Sequence, residues 1–232
     1  MRKIVYSIAI IVVITAFVVI KVCFVPSDVK DIRASITSSE EKEMNAEIQH
    51  FYEVSVVDNI INHKEDLILF DVSEEQLRNA QISQGVPLYT TQVKKLEVGD
   101  FKNQLTLYQW MFLVYVGENP VATFFTSRNE NGLILENIMD EEFSKAIASA
   151  IERVKSDRLI AFKIRLNYYI ANEQDEVAIV DRNNTMDEVV RFDEVETAVD
   201  RSIEYYEGRP EDEVGGDYTV EYLYGNNKKV GE

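Results

Sequence analysis

The 232 residues predict an α+β fold with a mostly antiparallel sheet and packed helices, preceded by one N-terminal transmembrane helix. Three observations carry that expectation. The chain opens on a long uncharged apolar run, its middle alternates apolar and polar residues between short turns, and apolar residues recur at helical spacing between those strands.

From Ile4 to Ile20 no residue is charged. That stretch makes roughly 25 Å of helix, and continuing through Val25 lengthens it to about 33 Å, enough for a bilayer core of about 30 Å. Lys21 falls near the end, where its ammonium reaches the headgroups, and Pro26 stops the helix. Arg2 and Lys3 place the N-terminus in the cytoplasm and the remainder outside it. A cleaved signal peptide needs small residues near the cut, and Val18 to Val25 has none. A lipid attachment at Cys23 wants a small residue before it, where Val22 stands. The expectation is therefore an uncleaved single-pass anchor over 1–26, a linker and membrane-proximal helix over 27–60, and an extracytoplasmic α+β domain over 61–232.

The elements follow in order. Residues 27–37 are polar and read as linker. Ser38 with Glu41 fits a capping box, and Met44, Ile48, Phe51, Tyr52 and Val56 form one stripe of a helix over about 39–57. Leu67 to Phe70 reads as a short strand or the end of the connection after that helix. Ser73 with Gln76 is a second capping box, opening a helix that Gly85 and Pro87 end. Over Leu105–Val116, Trp110, Phe112, Val114 and Val116 alternate with Met111, Leu113 and Tyr115, so both faces are apolar and the strand is central. Gly117–Pro120 turns it into Val121–Thr126, and Leu133–Leu135 makes a third strand. Asp140 caps a helix with inner face Phe143, Ile147, Ala150, Ile151 and Val154. Phe162 to Ile170 reads as one antiparallel strand, with Val177–Val180 paired back to it. A helix over about 193–207 presents Val195, Val199, Ile203 and Tyr206. Tyr218, Val220, Tyr222 and Tyr224 form a last strand after an acidic, Gly-rich loop over Glu207–Asp217.

Composition narrows the function. The net charge is −17, and setting aside the three basic residues of the first 25 leaves −20 on the rest. Such a surface repels nucleic acid and anionic headgroups, and favours cationic partners or divalent ions. Cys23 is the only cysteine, so no intramolecular disulfide forms; in an exported domain this leans toward a bacterial source.

The run Ser73-Glu74-Glu75-Gln76-Leu77-Arg78-Asn79-Ala80, leading to Gly85-Val86-Pro87-Leu88-Tyr89 and then the Trp110–Val121 hairpin, resembles a largely uncharacterised module in exported proteins of Gram-positive bacteria. There a short helix leads into a strand and then a hairpin of the form aromatic–apolar–Val-Tyr-Val–turn–Pro-Val. The resemblance covers residues 65–180. It implies an extracytoplasmic α+β fold and no catalytic residues.

The chemistry-bearing residues point the same way. His50 and His63 are the only histidines, and neither has a metal-ligating partner at helical spacing. Ser39-Glu40-Glu41-Lys42 matches Ser-x-x-Lys, but the Lys-Thr-Gly element that accompanies it in penicillin-binding enzymes is missing. Asp181 to Asp187 alternates oxygen side chains as a calcium loop does. Met186 stands where that loop needs glycine and Phe192 where it needs glutamate, leaving at most an irregular site with Glu188; the alternative is a turn into a helix capped by Thr185. Glu74/Glu75, Asp140/Glu141 and Glu211/Asp212 are the acidic pairs a carboxylate hydrolase would draw on. Tyr205, Tyr206, Tyr218, Tyr222 and Tyr224 gather near the end; at strand and helix spacing they read first as core and rim covering the sheet, and the alternative is an edge strand that meets a partner. The expectation is no catalytic, cofactor or metal site, and an accessory or protein-interaction domain held to the bilayer beside an envelope or membrane protein. The alternative is a cell-envelope hydrolase using carboxylates.

Overall fold

The computed structural model describes residues 28–62, 72–91, 97–183 and 185–206, with 219 and 223. The expected anchor over 1–26 and the strand over Leu67–Phe70 lie outside the described residues, and so does His63. Among the described residues, no helix is long and apolar enough to cross a membrane.

The helices are α1 (Asp28–Arg33), α2 (Ser38–Phe51), α3 (Val57–Asn62), α4 (Glu74–Arg78), α5 (Phe101–Gln104), α6 (Glu141–Val154) and α7 (Phe192–Tyr206). The strands are β1 (Gln81–Ile82), β2 (Val86–Thr90), β3 (Thr106–Val116), β4 (Asn119–Asn129), β5 (Gly132–Met139), β6 (Leu159–Ile164), β7 (Asn167–Asn172), β8 (Glu176–Ile179) and β9 (Val189–Arg191). They form one sheet in the order β5-β4-β3-β2-β6-β7-β8-β9, with β1 beside β3. Every pairing is antiparallel except β2 with β6. The chain is thus α+β with a mostly antiparallel sheet and packed helices.

Both faces of the sheet are covered. On one face, α1, α5 and α7 bury Val29, Phe101, Phe192 and Val195 against Phe162 and Tyr169 of the β6–β8 half. Beside them α2, α3 and α4 bury Met44, Tyr52, Val57 and Leu77 against Trp110, Phe112 and Phe124 of the β3–β4 half. The opposite face is covered by α6, whose Phe143, Ile147 and Val154 pack on Met111, Leu113 and Ile170. The alternation expected along β3 is observed: its even-numbered core residues face α2 and its odd-numbered ones face α6.

Several elements differ from the sequence expectation, each for a local reason. Residues 27–37, read as linker, contain α1, because Val29 and Ile32 meet the core. The N-cap of α2 is Thr37, whose hydroxyl accepts from Glu40 N while Glu40 returns to Thr37 N. Between α2 and α3 the helix widens into a π turn over Tyr52–Val56, which keeps Tyr52, Val56, Val57 and Ile60 all on the buried side. The helix opened by Ser73 stops at Arg78, and Val86–Thr90 is a central strand despite Pro87. Pro87 fits because it stands opposite Trp110 while the ladder to β6 starts only at Leu88, so its missing N–H costs no bond there. Phe162–Ile170 is a hairpin, not one strand. It turns at Arg165-Leu166, with Arg165 at φ +53°, and both faces of β6 and β7 are covered. Thr185 caps no helix: the segment runs through β9, and α7 begins at Phe192. Of the expected last strand, Thr219 and Leu223 are described, and both are helical.

Candidate functional site

A fork between β3 and β4 is the site where main-chain groups, carboxylates and aromatic surface converge. The two strands pair from Val116↔Asn119 to Trp110↔Thr126 and no further. Beyond that point Leu107 and Gln109 pair with β2 only, and Ser127 to Asn129 pair with β5 only. Two bulges account for the separation. In β3 the register jumps from Leu88↔Gln109 to Tyr89↔Leu107, leaving Tyr108 as an extra residue. In β5 it jumps from Phe125↔Asn137 to Thr126↔Leu135, leaving Glu136 extra. A bulge bends and twists its strand, and here each acts on the outer side of the fork.

The cleft so opened measures about 260 Å³, lined by Leu107, Tyr108, Gln109 and Trp110 of β3, Ser127 and Arg128 of β4, and Glu40, Glu43 and Met44 of α2. Tyr108 is 57% exposed and Leu107 42%, while Trp110 is only 5% exposed and forms the inner wall. Hydrogen bonds from the Thr37 hydroxyl and then its backbone N–H hold the Glu40 carboxyl below its ordinary value, against a small opposing effect of burial. Glu43 accepts from Ser39 Oγ at 3.1 Å. Arg128 reaches Glu47 Oε2 at 3.0 Å, so its charge is matched locally, while among the described residues no cation pairs with Glu40 or Glu43 in the cleft.

Past the Arg128–Glu47 pair, a shallower groove of about 470 Å³ continues between Ala46, His50, Phe51 and Val54 on one side and Leu133 of β5 on the other. From Glu40 to Val54 the track follows the helix for roughly 21 Å. It is acidic at one end and apolar at the other.

A second cleft, about 200 Å³, lies where α1 and α2 meet the starts of β2 and β6. Arg33 fills its wall with a side chain only 9% exposed, bonding the Leu159 carbonyl and, at 2.7 Å, Glu41 Oε1. Here the guanidinium joins two helices to a strand, which is a structural task.

The residues singled out in the sequence are dispersed. His50 sits exposed on the lip of the α2 groove. Ser39 hydrogen-bonds Glu43, and Lys42 is exposed. The Asp181 carboxylate accepts from Asn183 N, Thr185 N, Thr185 Oγ1 and Met186 N at 2.7–3.1 Å, so its lone pairs face donors and the loop is organised as a turn. Burial works to raise that carboxyl, and the bonds from Thr185, Asn183 and Met186 together bring it below its ordinary value. Glu74 pairs with Arg78, Asp140 caps α6 through Phe143 N, and Glu141 pairs with Lys145. Glu211, Asp212, Tyr218, Tyr222 and Tyr224 lie outside the described residues.

A carboxylate cluster not visible in the sequence gathers Asp28, Asp31, Glu196 and Asp200 around Lys102, whose Nζ is 2.6 Å from Asp28 and 3.1 Å from Asp31. Burial first, then the Asp28 charge, raises the Glu196 carboxyl above its ordinary value. Among the described residues, no group of three or more His, Cys, Asp or Glu side chains is placed to hold a metal ion.

The fork escaped sequence reading because Glu40 and Tyr108 are nearly seventy positions apart and only the register brings them together. One local signal was present: Leu107 and Tyr108 interrupt the buried alternation at the start of the most apolar strand. What converges at the fork is suited to recognition: unpaired strand edge, exposed apolar surface and fixed negative charge. No family model, curated protein or solved structure matches the chain.

Proposed function

We propose that this chain is a membrane-anchored, extracytoplasmic protein-interaction domain that uses its α2 groove and open strand edges to hold an envelope or membrane protein. The observation that carries the reading is the fork, where four residues of β3 and three of β4 lack a mutual ladder beside exposed Leu107 and Tyr108. An exposed ladder with adjacent side-chain surface is how domains accept an extended partner segment. The charge of −20 beyond residue 25 supports it by steering a basic partner. The uncharged run from Ile4 supports the tether.

The experiment places a photo-crosslinking amino acid at Tyr108, Val54, Leu166, Val189 and Tyr205, one at a time, in the full chain in its own membranes. A discrete adduct to one protein species, repeated from neighbouring positions, is the expected result. Absence of any adduct from all five positions overturns the interaction reading. N-terminal sequencing of the membrane fraction accompanies it, and a chain beginning near Cys23 or later removes the tether.

A further inference from the structure

Resting on the interaction reading, we infer that the β3–β4 fork receives a short extended segment of a partner protein that carries lysine or arginine beside apolar residues.

The backbone sets the extended form. Thr106 to Gln109 offers about 10–13 Å of strand edge facing β4, long enough for three or four residues of a guest strand. A guest that pairs there inherits the two-residue period of the sheet, so alternate side chains point to the α2 side and away from it. On the α2 side Trp110 forms the inner wall, and Glu40 and Glu43 of α2 line the same cleft. Among the described residues, the cleft's two carboxylates meet hydroxyl and backbone donors only, and its guanidinium, Arg128, is engaged by Glu47. A basic side chain from the guest meets that excess of negative charge. An acidic one meets repulsion. The exposed Leu107 and the ring of Tyr108 line the same cleft as Glu40 and Glu43, and they favour aliphatic chains beside the basic one. The bulge at Tyr108 makes the fork a built feature of the strand, since the extra residue bends β3 where its ladder to β4 ends. A divalent cation is disfavoured because, among the described residues, no third carboxylate joins the pair to form a metal-holding group.

The chain carries its own reporter. Trp110 is the sole tryptophan and forms the inner wall of the cleft. Full-length protein in nanodiscs of neutral lipid is titrated with a capped heptapeptide alternating lysine and valine, and Trp110 emission is followed. Three comparisons accompany it: the same peptide with glutamate for lysine, the lysine peptide N-methylated at alternate amides, and the lysine peptide with Glu40→Gln/Glu43→Gln protein. Glutamine keeps the capping box, so the helix remains capped in that variant. The expected result is a saturable emission shift with the lysine peptide, no shift with the glutamate peptide, and affinity lower by on the order of tenfold with the N-methylated peptide and with the double variant. No saturable shift with the lysine peptide overturns the inference. Equal binding of the glutamate or N-methylated peptide overturns it as well, since neither charge nor ladder then selects the guest. If the double variant unfolds, the peptide comparisons on the unaltered protein still decide. Peptide failure alongside crosslinks from Leu166 or Val189 removes the fork assignment and leaves the interaction reading standing.

Discussion

Asp181 and Glu196 are both carboxylates in an acidic chain, yet their surroundings move them in opposite directions. Four donors converge on Asp181 and keep it ionised as the organiser of a turn. Glu196 is half-buried among Asp28 and Asp200, with Lys102 as partial relief, and its carboxyl is raised. A carboxyl raised in the folded state contributes stability that is full below its unfolded value and is lost as pH rises through the folded one. Glu196→Gln therefore raises the melting temperature at pH 7, and the gain over the unaltered protein shrinks toward zero as pH falls below the ordinary glutamate range. Melts across pH 3.5–8 check it; a variant less stable at pH 7 shows that the Lys102 attraction outweighs burial.

At the scale of elements, the α2–β2–β3 junction depends on one glycine. A Cβ on Gly85 would sit 2.8 Å from Phe112 Cε1 and 2.9 Å from Trp110 Cε3. Phe112 cannot yield easily, because it is fully buried and stacked on Phe124 at 5.2 Å. Gly85 N also donates to Asn45 Oδ1, tying α2 to the loop before β2. Gly85→Ala is expected to destabilise the fold by about 1–3 kcal/mol, the usual cost of overpacking, and to shift Trp110 emission at the same time. A chemical melt followed by that fluorescence measures both. Unchanged stability would mean that the β1–β2 segment moves away from Phe112. In the sequence Gly85 and Pro87 look like punctuation after a helix; their actual roles, close approach and ladder start, arise from strands distant in sequence.

For the whole molecule, charge is the dominant unbalanced quantity. The chain carries −17, and most of its ion pairs have at least one half-exposed partner, so each is worth little, about 0–1 kcal/mol. Self-repulsion is spread over the surface and is screened by salt. The melting temperature is expected to rise by several degrees between about 10 mM and 0.5 M sodium chloride, where the Debye length falls from about 30 Å to a few ångströms. A fall over that range would show that the ion pairs outweigh the repulsion.

By itself the sequence determined the fold class, the double-sided β3, the β3–β4–β5 meander and the Asp140-capped α6, because each is written in apolar periodicity or a capping residue within one short window. The same local rules produced the misplaced cap at Ser38, the linker reading of α1 and the continuous strand over Phe162–Ile170, where a tight turn at Arg165-Leu166 hides inside an unbroken alternation. Only the tertiary structure decided the parallel β2–β6 pairing, the burial of Arg33 between α1, α2 and β6, and the fork where Tyr108 meets Glu40. Those depend on which strands become neighbours and where a register slips. A bulge costs one residue and has no period of its own, so it is marked locally only by the break in burial at Leu107 and Tyr108.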